Sequence, residues 1–305
     1  MLAGKTVGVQ VPSFALLTPL EDNVIAGQPC ILEQVPLLAR SLTFDARVSA
    51  DPRPALAKVR ALLDPSSTLA GIGAPLARVL QRDIPGLRSF PLLAVGGVSI
   101  PVTQGALWIN LHAGDRGSLD DRAHLVIATL AESFRLTDDT ECFRYREGRD
   151  LSGYEDGTEN PTGDKAKAAV FREDGSSFVA VQKWVHDLAW FTSRPDAERD
   201  AIIGRRASDN TEIVEADVSA HVKRSAQESF DPEAFMVRRS MPWMTDSAKG
   251  LLFIAYGESL DRYERVLERM IGLEDGIVDG LFHFSRPTTG GYFFCPPLRG
   301  GQIDL

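Results

Sequence analysis

Apolar positions along the chain switch between helical spacing and strand-like runs, and the sequence of switches repeats in the second half. Residues 55–63 carry apolar side chains at helical spacing after Pro52 and Pro54, and 75–80 read as a short second helix with Pro75 in its first turn. Residues 106–111, with Trp108 and Ile109, predict a strand. Residues 118–134 predict the strongest helix of this half. Ser118 and Asp121 make a capping-box-like start, and Leu119, Ala123, Val126, Ile127 and Leu130 share one face. The second half predicts strands over 178–185, 235–240, 251–256 and 292–295. It also predicts a helix over 196–203 stopped by Gly204, and an amphipathic helix over 260–271 through Tyr263, Val266, Leu267 and Met270. Two strand–helix–strand sets imply an α+β chain of two halves, 1–145 and 146–305, each an antiparallel sheet with helices on one face. Between the sets, residues 146–174 are rich in Gly, Asp, Glu and Thr, the composition of a loop that carries function.

Composition narrows the classes. The chain has 305 residues, 44% hydrophobic and 25% charged, which is ordinary for a globular protein of about two domains. Lys plus Arg is 33 against 42 Asp plus Glu, a net charge of −9, which disfavours nucleic acid as a partner. No apolar run reaches the ~18 residues needed to span a bilayer. Thr6, Gln10, Pro12, Ser13 and Thr18 interrupt any signal-peptide core, so 1–20 read as mature chain and the protein as cytoplasmic. The three cysteines, Cys30, Cys142 and Cys295, are widely spaced and read as reduced, buried thiols. There is no Walker loop, no G-x-S-x-G and no H-E-x-x-H, and Gly71-Ile72-Gly73 does not continue as a dinucleotide fingerprint.

Five segments could carry chemistry, and each has an ordinary alternative. Gly153-Tyr154-Glu155-Asp156-Gly157-Thr158-Glu159-Asn160-Pro161 sets an aspartate between glycines, which allow close backbone approach to a ligand. By composition alone it is a surface turn. Of five histidines, His221 in Ser219-Ala220-His221-Val222-Lys223-Arg224 lies in an irregular polar stretch free for a ligand. His186 reads as a local surface pair with Asp187, and His283 points away from Phe282 and Phe284 if that stretch is extended. In Val237-Arg238-Arg239-Ser240-Met241-Pro242-Trp243, strand alternation puts Arg238 and Ser240 on one face and Arg239 and Met241 on the other. The alternative is a solvated edge strand ended by Pro242. Arg205 and Arg206 follow a helix end, where a cation suits the dipole. Asp279 is a loop acid, or a partner that orients another side chain.

Taken in order, these segments resemble the dye-decolorising peroxidases. The resemblance rests on Gly153 to Pro161, Val181-Gln182-Lys183-Trp184-Val185-His186-Asp187-Leu188, Ile203-Gly204-Arg205, Ala220-His221-Val222, Arg238-Arg239-Ser240-Met241-Pro242 and Thr289-Gly290-Gly291-Tyr292-Phe293-Phe294. It is detailed over about 153–297, looser from 42, and similar to the compact bacterial B-type branch. It implies two ferredoxin-like halves with a haem b in the second. It makes His221 the iron ligand, Asp156 and Arg238 the distal pair, and Asp279 the acid that accepts the ligand's other N–H. Arg205 then pairs with a haem propionate, and Gly157, Ser240 and Phe253 also contact the cofactor, Ser240 standing where other members carry Asn. The implied activity is oxidation of dyes and phenolic or aromatic compounds by hydrogen peroxide through a high-valent oxo-iron intermediate.

A distal base must move a proton between the peroxide oxygens, and a carboxyl with a reference pKa of ~3.9 remains a base in acid. An arginine stabilises the charge building on the leaving oxygen. Trp184, Trp190, Trp243 and Tyr256 are available to pass electrons from reductants too large for the pocket, or simply to pack. The implied partners are peroxide, an aromatic reductant and further copies of the chain in a homo-oligomer, with neither nucleic acid nor membrane. Members loaded into bacterial nanocompartments carry a C-terminal targeting extension, and the short run from Leu298 to Leu305 implies no such role. The competing reading is a non-catalytic haem protein for haem or iron storage, transport or release.

Overall fold

The computed structural model describes residues 26–305, so the reading of 1–20 as mature chain lies outside the described residues. The first half runs β1 (Leu38–Ala46), α1 (Arg53–Arg60), β2 (Thr68–Gly73), α2 (Ala74–Leu80), a small hairpin of β3 (Leu93–Val95) and β4 (Val98–Ile100), β5 (Leu107–Ala113), α3 (Arg116–Leu130) and β6 (Phe134–Phe143). The second runs α4 (Gly163–Val170), β7 (Ser177–His186), α5 (Leu188–Thr192), α6 (Asp196–Ile203), α7 (His221–Arg224), β8 (Val237–Arg238), β9 (Met241–Met244), β10 (Lys249–Gly257), α8 (Leu260–Met270), β11 (Ser285–Pro287) and β12 (Gly291–Cys295). A last hairpin joins β13 (Leu298–Arg299) to β14 (Gln302–Ile303).

The α+β class holds, with antiparallel sheets and helices, but the two sheets are not separate. In the first half the strands lie in the order β2-β5-β1-β6, and in the second β12-β7-β10-β9. β12 pairs with β2 and β6 with β9, and β7 pairs with both β12 and β10, so the strands close into one ring. The seams are thin. β6 meets β9 only at Cys142↔Trp243, and β12 meets β2 only at Phe293↔Gly73 and Phe294↔Ile72.

Alternation decides what each face buries. Inward positions from every strand of the ring, including Trp108, Cys142, Val181, Trp243, Tyr256, Phe293 and Cys295, pack as one cluster. The three cysteines are buried free thiols. Outward positions such as Leu42, Ile72, Ile109, Trp184 and Ala255 pack under the helices.

Two sequence expectations are corrected here. The long helix begins at Arg116 because Asp115 caps it, accepting the Ser118 N–H at 2.9 Å, so Ser118 lies inside the first turn. It ends at Leu130, and Phe134 opens β6 instead. Pro242 does not end a strand: Met241–Met244 pairs with β10 through Leu251↔Pro242. A proline is tolerated there because the other edge of β9 makes only the single Trp243 pairing. β8 and β9 keep one register along β10, with Arg238 opposite Ala255 and Met241 opposite Leu252. Among the described residues, no helix is long and apolar enough to cross a membrane.

Candidate functional site

A cavity of about 400 Å³ opens in the second half, between the outer face of β7 and β10 and the helices α6, α7 and α8. Alternation along β7 puts Gln182, Trp184 and His186 on its wall, and alternation along β10 adds Leu251 and Phe253. The apolar stripe of α8 supplies Tyr263, Val266, Leu267 and Met270. A cavity of this size, mostly apolar with a few converging polar groups, is the ordinary form of a cofactor site.

His221 opens α7 and faces the cavity. Its Nδ1 lies 2.8 Å from Asp279 Oδ2, and a carboxylate can only accept, so Nδ1 carries the proton and Nε2 keeps its lone pair. Asp279 is 1% exposed and is itself fixed, its Oδ1 accepting the Leu281 N–H at 2.8 Å. The short helix is tied down by Arg224, which is buried and makes 2.7 and 2.8 Å hydrogen bonds to both oxygens of Asp275. Gly204, at φ 87°, ends α6 against α7, where a Cβ would stand 2.4 Å from the Val222 side chain.

The acid and the arginine meet at another wall. Asp156 Oδ1 lies 3.7 Å from an Arg238 amino group, a close ion pair with no direct hydrogen bond. Asn160 clamps their elements together: its Oδ1 accepts the Arg238 N–H at 2.9 Å and its Nδ2 donates to the Arg238 carbonyl at 2.9 Å. Gly157, at φ 77°, makes that approach, since a Cβ would fall 2.7 Å from Asn160 Nδ2. The Gly153–Pro161 segment is therefore a built loop and not a free surface turn. Arg238 Nε and Ser240 Oγ are buried without a partner among the described residues.

The remaining expected residues divide. Phe253, Gly157 and Arg205 line the cavity, whereas Ser240 and Asp279 are not among its lining residues. Arg205 already holds Glu159 at 2.5 Å and Glu212 at 3.3 Å at the rim, and its Nη1 donates to the Asn210 carbonyl. Trp184 lines the cavity, Trp243 and Tyr256 pack inside the ring, and Trp190 stacks on His283. His283 belongs to a 3-10 turn, Gly280–His283, and not to an extended stretch.

His186 corrects the sequence reading most. It is 8% exposed and pairs with Asp150 at 3.2 Å, while Asp187 caps α5 through the Trp190 N–H. Burial opposes ionisation of Asp150, but hydrogen bonds from His186 and Ser152 outweigh it and hold the carboxyl below the usual carboxylate range. Asp150, Tyr154 and Tyr263 also line the cavity and were not singled out from sequence. The alternation of Gln182, Trp184 and His186 along one strand face was the available signal for His186.

The residues fit a haem. The donor set is one neutral imidazole nitrogen, with its second nitrogen fixed by a buried carboxylate, the usual arrangement for a metal-binding histidine. The walls are largely apolar, and a cation at the rim holds carboxylates, the chemistry of a propionate.

Comparisons with known proteins agree in kind. A family model described as the Dyp-type peroxidase C-terminal domain matches residues 147–300. A dye-decolorising peroxidase of Brevibacterium linens is 30% identical over 251 residues, 78% of this chain and 68% of that protein. One of Mycolicibacterium paratuberculosis is 33% identical over 211 residues, 65% of this chain, and the match spans only 59% of its length. Among solved structures, a dye-decolorising protein from Vibrio cholerae superposes with a TM-score of 0.81 at 29% identity, covering 88% of this chain and 96% of that one. A DypB variant of Rhodococcus jostii in complex with haem gives 0.81 at 27% identity, covering 89% and 96%.

Proposed function

The chain belongs to the Dyp-type peroxidase family, and on that premise we propose that it is a haem b peroxidase using hydrogen peroxide to oxidise dyes and phenolic or other aromatic compounds. One observation carries the reading. A single cavity collects a histidine whose Nδ1–H is fixed on a buried carboxylate and an aspartate–arginine pair 3.7 Å apart.

When bound, the haem iron supplies the redox chemistry between peroxide and the reductant. His221 holds it through Nε2, and Asp279 keeps the proton on Nδ1 and so raises the basicity of the ligand nitrogen. Asp156 would act as the base that moves a proton between the two oxygens of peroxide. Arg238, whose backbone is held by its strand and by the Asn160 clamp, would offer its guanidinium to negative charge that develops on peroxide. Arg205 takes a propionate in place of part of its Glu159 and Glu212 pairing. Gly157 and Phe253 shape the pocket, and Ser240, in the stretch between β8 and β9 that follows Arg238, contacts the cofactor.

The finer architecture belongs to the same proposal. The halves are ferredoxin-like repeats meeting near residue 145, supported by their matching strand order. The protein works in the cytoplasm as a homo-oligomer.

The test is an absorption spectrum of the purified holoprotein titrated with peroxide, followed by dye bleaching. A Soret band that changes with peroxide and bleaching that peaks below about pH 6 are expected, because a carboxylate base survives where a histidine base is protonated, at reference values of ~3.9 and ~6.5. A Soret band inert to peroxide would return the non-catalytic haem protein, and no Soret band would end both readings.

A further inference from the structure

The loop that carries Asp156 is fastened at both ends and tied between them, by Arg149 and Asn210 on Glu155, by Asn210 on Thr158 and by Tyr154 on Asp200. At its trailing end Asn160 grips the backbone of Arg238. At its leading end Asp150 forms a tight turn, accepting the Gly153 N–H on its carbonyl and donating its own N–H to the Tyr154 carbonyl, both at 2.9 Å. The Asp150 carboxylate then reaches in two directions. Oδ2 accepts the Ser152 N–H at 2.8 Å, and Oδ1 lies 3.2 Å from His186 Nε2. A carboxylate only accepts, so Nε2 carries the proton, and Nδ1 is hydrogen-bonded to the Ser285 hydroxyl at 2.7 Å. Ser285 is the register partner of His186 between β11 and β7, so the chain Ser285–His186–Asp150 runs from the sheet into the loop. All three are at most 9% exposed.

Filling that space does not require these groups. An apolar side chain of similar volume buries no polar atom, and replacing buried ionic groups with apolar ones is often neutral or stabilising. What the polar chain adds is direction: each ring nitrogen of His186 has one partner, and Asp150 has one oxygen for the sheet and one for the loop. Among the described residues, no side-chain hydrogen bond holds the Asp156 carboxylate, which stands 3.7 Å from Arg238. Its place depends on how the loop is tied, and the ties at the middle are exposed or half-buried whereas those of Asp150 at the leading end are buried.

We propose that His186 is a positioning residue that sets the leading end of this loop and thereby holds the Asp156 carboxylate at Arg238. The proposal rests on the reading of Asp156 as the proton-moving group.

Two polar substitutions separate positioning from simple core filling. In His186→Gln the amide nitrogen reaches Asp150, and in His186→Asn the shorter amide reaches only Ser285. Holoproteins are compared by hydrogen exchange of the 150–160 segment, by the stopped-flow rate with peroxide, and by haem content and ferric spectrum. His186→Asn is expected to speed exchange at the Ser152 and Gly153 amides at least ~10-fold and to slow the peroxide step by a similar factor, the scale of one lost hydrogen bond to a charged group. Haem content and ferric spectrum stay as in the wild type, because His221 is untouched. His186→Gln restores both quantities to within about threefold of the wild type, since one hydrogen bond is kept. Equal behaviour of the two variants overturns the proposal, as does faster exchange with an unchanged peroxide rate. If His186→Asn does not fold, Asp150→Asn leaves one acceptor oxygen for two donors, and wild-type exchange and rate in that variant overturn it equally. The exchange measurement reads the fastening even if the wild-type protein is inert to peroxide, an outcome that would count against the proposed function alone.

Discussion

The two halves use one strand order and end with opposite interiors. In the first, the connection from β1 to β2 is short and holds α1, which packs with α3 on the sheet. Leu42, Phe44, Ile109, Leu119, Val126 and Leu130 fill the space between them. In the second, the connection from β7 to β8 runs over 187–236 and holds α5, α6 and α7. α8 still covers the sheet, but the place that α1 fills in the first half is taken by longer, more polar segments, and the cavity opens there. The difference teaches where function enters such a fold. The strands and the α8 stripe obey packing, while His221, Arg205 and Asp156 sit on connections that packing leaves free to vary.

The largest expected effect tests whether the open half depends on one nitrogen. His221→Ala should lose most of the bound haem while unfolding with an unchanged denaturant midpoint once compared with wild-type apoprotein. Haem content by absorption decides it, and full occupancy with an unchanged ferric spectrum would remove His221 from the role. Asp279→Asn leaves the nitrogen in place but removes the carboxylate behind it, a change typically worth ~10–100-fold in metal affinity or activity.

The next effect lies within the open half. Arg238→Leu should slow the peroxide reaction more than Asp156→Asn. The arginine's backbone is held by strand pairing and by two Asn160 hydrogen bonds, and its side chain is mostly buried beside Asp156, so its charge starts from a fixed base at the site. Loss of one such donor typically costs ~2.7–4 kcal/mol. General-base help is typically worth ~10²–10⁴-fold, but a bridging water can replace part of it. Stopped-flow rates corrected for haem occupancy rank them, and a slower aspartate variant reverses the assignment.

The elements were legible where period and punctuation agreed. α6 spans Asp196–Ile203 and stops at Gly204, as its spacing and glycine indicated, and α8 differs from expectation by one residue. β1 and β6 were missed because Arg40, Thr43, Arg135, Asp138 and Asp139 interrupt their apolar positions; a strand exposed on one face hides half its signal. The site was legible only in part for a different reason. Asp150 with His186 and His221 with Asp279 are pairs made by the fold across 36 and 58 residues, so no local pattern announces them. The second pair was reached through resemblance, while the first was read as a surface contact with the neighbouring Asp187.

The smallest expected effect sets the filled half against the open one by pH. His112 lies on β5 in the first half, and its Nε2 faces the Asn110 amide nitrogen at 3.1 Å. An amide nitrogen only donates, so Nε2 must accept and the ring is neutral. Burial first, and then the Arg122 cation, push its pKa down from 6.5 to about 4. The unfolded chain therefore binds a proton that the folded one refuses. The neutral ring's contribution is fully present above pH 6.5 and is lost as the pH falls from there towards 4, by on the order of 2–3 kcal/mol. Asp150, in the open half, has a carboxyl held below 3.8, so its contribution is present above that value and is lost only in stronger acid. The half without the cavity should thus be the first to weaken under the acid conditions that favour dye oxidation. Urea midpoints of wild type and His112→Gln between pH 7 and 4.5 test this. The wild-type midpoint should fall with acid and the variant's should fall less, with initial peroxide rates unaltered. Parallel slopes in the two proteins would move the acid-sensitive point out of the first half.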